Sequence, residues 1–103
     1  MQISVIHCAF EEGDKVVALV DIPETLVATT SALEYAYRWT QNLVDSWSTK
    51  GEYDGNKNVR VIAELPTINN GTEVIGLRST SVGDRLVIGH DVYKILLTGF
   101  EKV

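Results

Sequence analysis

Arg78, Ser79, Thr80, Ser81 and Asp84 fall within the stretch RSTSVGD, the densest group of small polar side chains in the chain. Three chemistries use such residues. A nucleophilic serine needs a base within hydrogen-bond reach, usually histidine, and a third group to orient it. A phosphate cradle needs several glycines leading into a helix N-terminus. A small-anion site needs a fixed cation and turn amides, and Arg78, Ser79, Ser81 and Asp84 offer both. The histidines are His7 and His90. His90 lies a strand length beyond the motif, roughly 17–20 Å on, so no local triad is expected. One glycine, Gly83, leads into a β-branched run rather than a helix, which removes the phosphate loop. Every residue of the motif also suits a tight turn. Gly83 supplies positive φ, Ser81 and Asp84 accept turn amides, and Arg78 pairs with Asp84. A structural turn is the leading reading, and a small-anion or small-ligand site, with catalysis attached to it, is the alternative.

The other reactive side chains offer less. His7 and Cys8 are neighbours in an apolar run, so a strand there points them to opposite faces. They cannot share a metal, and no ligand set of zinc spacing accompanies them. No metal and no cofactor are expected. Cys8 is the one cysteine, which excludes an intrachain disulfide. Glu11, Glu12 and Asp14 flank a turn signal, where carboxylates are normally solvated. Tyr35, Tyr37, Trp39 and Trp47 concentrate in one helical stretch, where core packing is their first use. Tyr and Trp also favour interfaces. The candidate partner surface is therefore the acidic turn (Glu11, Glu12, Asp14) together with the helix edge (Tyr35, Trp39).

The elements that must position these groups follow from periodicity. ISVIHCAF (3–10) and KVVALVDI (15–22) flank EEGD and predict a β-hairpin. The second run is apolar on both faces, as in a central strand covered on two sides. SALEYAYRWTQNLVDSWS (31–48) predicts a helix. Leu33, Ala36, Tyr37, Thr40, Leu43, Val44 and Trp47 share one arc, and Thr30 or Ser31 stands ready to cap it, with Glu34 at capping-box spacing from Ser31. VRVIAEL (59–65) and TEVIGLR (72–78) predict strands around an Asn70-Gly71 turn. DRLVIG (84–89) and DVYKILLTGF (91–100) predict a second hairpin turning at Gly89-His90-Asp91. Strands interrupted by one helix predict an α+β fold, with one long amphipathic helix packed on a mainly antiparallel sheet of about five or six strands. One helix covers one face only, so the other face curls into a partial barrel or meets a partner. An uncovered apolar face on KVVALV would favour self-association.

The chain has 103 residues, the size of a single domain spanning 1–103. Its net charge is −5, with most of the excess of acids over bases in the first thirty residues and the bases scattered singly. Nucleic-acid binding is disfavoured, because neutralising phosphates needs a basic stripe. There is no basic-then-apolar leader and no long apolar run, which predicts a cytoplasmic protein with no membrane partner.

LEYAYRWTQNLVDSWS (33–48) and RSTSVGDRLVIGHDVYKILLTGFEKV (78–103) together resemble small uncharacterised proteins of phages, plasmids and related mobile elements. The second stretch is similar to the YodL-like group: an Arg-Ser-x-Ser-Val-x-Asp turn, a hairpin with a central Tyr, and a closing Gly-Phe. Those positions are Arg78, Ser79, Ser81, Val82, Asp84, Tyr93, Gly99 and Phe100. The resemblance implies a mobile-element source in a bacterial host cell and no particular activity. It also points to Phe100 packing with Val82 beneath the hairpin. The expected function is that of a non-enzymatic accessory factor that binds an unidentified protein partner, a second copy of the chain included.

Overall fold

A computed structural model describes all residues, 1–103. Strands β1 (Gln2–His7) and β2 (Lys15–Asp21) precede helix α1 (Thr29–Arg38). After it come β3 (Val59–Val61), β4 (Thr67–Ile68), β5 (Glu73–Val74), β6 (Arg85–Ile88), β7 (Asp91–Ile95) and β8 (Phe100–Lys102). Six strands form one open sheet in the order β3-β2-β1-β6-β7-β8, with every neighbouring pair antiparallel, while β4 and β5 form a separate ribbon. The sheet does not close into a barrel.

One face of this sheet carries the core. Ile3, Val5, Ala18, Val20, Val59, Leu86 and Ile95 pack there against Ala32, Leu33 and Ala36 of α1 and against Trp47. A bulge where β1 and β2 lose register between Val5 and Ile6 brings Val17 into the core beside Ala18. The opposite face has no helix over it, so β2 is not covered on two sides as its apolar pattern predicts.

The largest departure is the helix. It is ten residues long rather than running through 31–48, and no side chain caps it; Ala28 holds the N-cap position, so neither Thr30 nor Ser31 does. Beyond Thr40 the amides find other partners. The Thr40 hydroxyl donates back to the Ala36 carbonyl. The Asn42 amide donates to the Ser79 hydroxyl, the Val44 and Asp45 amides to the Asp54 carboxylate, and the Trp47 amide to the Asn42 side chain. Side chains that satisfy the backbone in a non-helical path compete directly with the helix ladder. The apolar arc breaks as a result: Trp47 is fully buried, but Leu43 and Val44 are 63% and 71% exposed.

Strand ends shift for similar reasons. β1 stops at His7, short of the expected Phe10, because the Cys8 and Ala9 amides donate to Asp84 Oδ1. β3 stops at Val61 because the Ile62 and Ala63 amides both turn onto the Val17 carbonyl. A turn closed by Leu96 N–H on the Gly99 carbonyl, with Gly99 at φ +81°, splits the last run and adds β8. Phe100 lies edge-on to Tyr37 with centroids 6.3 Å apart. Phe100 packs against the core cluster, whereas Val82 is 46% exposed and lies outside it.

Candidate functional site

The RSTSVGD segment folds against the end of β1. Gly83 sits at φ +94°, which favours glycine, and a Cβ there would come to a tight 3.2 Å from the Ala9 Cβ. The turn closes with the Asp84 amide on the Ser81 carbonyl. Asp84 is fully buried and is the hub of the segment. Its Oδ1 accepts the amides of Cys8 and Ala9, and its Oδ2 accepts the amide of Ser81. Arg78 donates to both oxygens, at 2.7 and 2.9 Å. Burial alone would push the carboxyl up, but Arg78 and the three amides outweigh it and hold the pKa down at about 2.

Arg78 is equally committed. Its remaining hydrogen bonds go to both oxygens of Glu11, at 3.1 and 2.8 Å, and to the Ser79 carbonyl. A guanidinium has five N–H donors, and these five bonds use them all. The Phe10 ring lies under the guanidinium, 4.9 Å from its carbon. Its proton is held more tightly than usual, chiefly by the Asp84 bonds. Glu11 is held below the usual carboxylate range, first by its bonds to Arg78.

His7 is the residue that local sequence spacing misses. Its Nε2 lies 2.9 Å from Thr80 Oγ1 and 4.0 Å from Asp84 Oδ2, with His7 and Thr80 both buried. The contact joins residues far apart in the chain because β1 pairs with β6, which places the end of β1 beside the turn that opens β6. Hydroxyl, imidazole and carboxylate meet here, but not in triad order. A triad presents the hydroxyl to one ring nitrogen and the carboxylate to the other, whereas here both lie on Nε2. No pocket opens at the surface to bring a substrate to Thr80. His90, as expected, lies in the β6–β7 turn at the far end of the strand.

Burial lowers the His7 pKa, and Arg78 lowers it further, against smaller upward pulls from Asp84 and Glu11. A histidine that resists protonation when folded stabilises the fold fully above its unfolded value near 6.5. That stabilisation is lost as pH falls, because the unfolded chain then takes up a proton that the folded chain refuses. Urea titrations between pH 6.5 and 5 should show falling stability in the wild type. His7→Gln, which keeps a partner for Thr80 but cannot titrate, should be flat over that window.

The remaining candidates fall into two groups toward opposite ends of β1. Glu11 is pinned to Arg78, while Glu12 and Asp14 stay exposed in the β1–β2 loop. The Tyr35 hydroxyl accepts from the Asn56 and Asn58 side chains. Asn58 lies beside Asp21, which pairs with Gln2 at the other end of β1. A β1 length, roughly 17 Å, thus separates the acidic turn from Tyr35. Trp39 is partly buried and carries the Arg38 guanidinium 4.1 Å above its ring.

Arg38 leads to a second knot. It donates to Asp54, which is fully buried and also accepts the Val44 and Asp45 amides. Asp45 in return accepts the Tyr53 and Asp54 amides. Burial would raise the Asp54 pKa, but the surrounding amides and Arg38 prevail and keep it below its ordinary value. Leu43, Val44 and Tyr53 project from this braced loop, Tyr53 being 62% exposed. The helical pattern hid this patch by assigning Leu43 and Val44 to the core.

The chain matches no family model, no curated protein and no solved structure. The Arg78–Asp84 cluster fastens β1 to β6, and the Asp45–Asp54 loop holds an apolar patch outward. No helix is long and apolar enough to cross a membrane.

Proposed function

We propose that the protein is a non-enzymatic binding factor that engages an apolar segment of another polypeptide through Leu43, Val44 and Tyr53, with Trp39 at the border. One observation carries this reading: three large apolar side chains stand exposed on a loop whose amides are fixed by two reciprocal carboxylates. A braced loop loses little freedom on binding, which preserves affinity. Tyrosine is a common anchor of such surfaces. A role beside a mobile element's host machinery, suggested by the likeness to YodL-like proteins, belongs to the same proposal.

The small-anion alternative at Arg78, Ser79, Ser81 and Asp84 is the weaker reading. An anion would have to displace Glu11 or Asp84 from a guanidinium with no free donor. A photoreactive residue placed at Leu43 or Tyr53 in the native cell tests the proposal. The expected result is one discrete adduct, different in mass from two copies of the chain and absent when the same residue replaces Leu97. No adduct, or the same adducts from position 97, refutes it. If inorganic phosphate shifts the Arg78 Nε NMR resonance saturably, the anion reading replaces it.

A further inference from the structure

We infer that the uncovered face of the main sheet is the contact surface for a second copy of this chain. The register defines what this face presents. Arg60, Leu19, Ser4, Val87 and Val92 form one row across β3, β2, β1, β6 and β7. Val16, Ile6, Arg85, Lys94 and Glu101 form the next row, from β2 to β8. Leu19, Ile6, Val87 and Val92 are half-buried and Val16 is 44% exposed, and none of them joins the core cluster. Five aliphatic side chains on four neighbouring strands, interrupted by Ser4, Arg85 and Lys94 and with no helix over them, are the kind of surface a soluble protein normally covers.

The charges choose the occupant. In a chain of net charge −5, this surface is flanked by Arg60 on the β3 edge and Glu101 on the β8 edge. A two-fold axis parallel to the strands lays the β3 edge of one copy over the β8 edge of the other. Leu19 then meets Val92, Ser4 meets Val87, and Arg60 reaches Glu101, each contact made twice by symmetry. The stems of Arg85 and Lys94 run along Ile6 and Val16 of the second copy while their charges reach the rim. Two twisted sheets pack face to face in this aligned manner at about −30°. An axis perpendicular to the strands leaves Arg60 and Glu101 at opposite edges and sets Arg85 and Lys94 over Val87 and Val92. The face is therefore self-complementary in one orientation.

This face lies across the sheet from Leu43 and Tyr53, so the inference stands apart from the proposed function. Sedimentation velocity on the full chain across the micromolar range tests it. The wild type should dimerise. Val87→Lys should sediment as a monomer with an unchanged far-ultraviolet circular dichroism spectrum. Arg60→Glu and Glu101→Arg, both at exposed positions, should each weaken dimerisation by about tenfold through like-charge contacts. The double swap should restore it to within a few-fold. A wild type that stays monomeric throughout overturns the inference, as does a dimer that survives Val87→Lys or a swap that fails to restore association. If Val87→Lys does not fold, the charge-swap series decides alone. None of these changes touches the crosslinking positions, so either proposal can fail without the other.

Discussion

Asp84→Ala should lower the unfolding free energy by about 3–5 kcal/mol, the range expected when one partner of a buried ion pair is removed. The substitution leaves the amides of Cys8, Ala9 and Ser81 without their acceptor and strips Arg78 of its closest carboxylate. Asp84→Asn should not rescue it. Both carboxylate oxygens receive donors, so an amide nitrogen in either place meets an N–H head-on. Arg78→Ala should be costly as well, and the double variant Arg78→Ala/Asp84→Ala should cost clearly less than the sum, since the two groups act as one unit. Glu11→Gln should cost under about 1 kcal/mol, because that end of the pair is partly exposed. Urea titration measures all five. An additive double variant would mean that Arg78 and Asp84 act separately.

The same carboxylate contributes to the acid limit of the fold, beside Glu11 and Asp54. A folded pKa of about 2, against an ordinary value near 3.8, means the group stabilises the fold fully above pH ~3.8 and loses that contribution as pH falls through 2. The difference amounts to about 2 kcal/mol. It lies well below the His7 window, so the two transitions are separable along one pH series. Asp84→Ala should shrink the lower one to the share that Glu11 and Asp54 contribute, and leave the upper one in place.

How far the sequence reveals this arrangement depends on the distance over which each signal acts. The β6–β7 hairpin and the Asn70-Gly71 turn are local, and periodicity and turn residues find them. The role of RSTSVGD as a turn, with Gly83 at positive φ and Arg78 on Asp84, is local too. Its partners are not. His7, Cys8, Ala9 and Glu11 reach the motif through the pairing of β1 with β6, and strand pairing leaves no mark at either position. The helix fails for a related reason. TQNLVDSW carries an acceptable helical arc, but Asp54 and Ser79, distant in sequence, capture its amides. Asn42 and Asp45 hinted at this competition, since both residue types bond local backbone in non-helical paths. The apolar pattern of β2 likewise records two apolar faces without saying that only one is covered within the chain.

Trp47→Ala should be the most damaging single change in the core, at about 3–5 kcal/mol. Trp47 is the largest of the fully buried side chains. Its ring meets His7 edge-on at 6.4 Å between centroids, and its Nε1–H donates to the Arg78 carbonyl at 3.0 Å. The side chain therefore fills the core and also holds the backbone from which the Arg78 guanidinium is launched. Trp47→Phe separates the two roles. It keeps much of the volume but abandons the carbonyl, and should cost about 1–3 kcal/mol for the lost bond and the smaller ring. If the indole braces Arg78, Trp47→Phe should also couple to Asp84→Ala, making the double variant less costly than the sum in urea titrations. Strict additivity would show that Trp47 serves packing alone, leaving the Arg78–Asp84 lock to be held by its own turn and by β1.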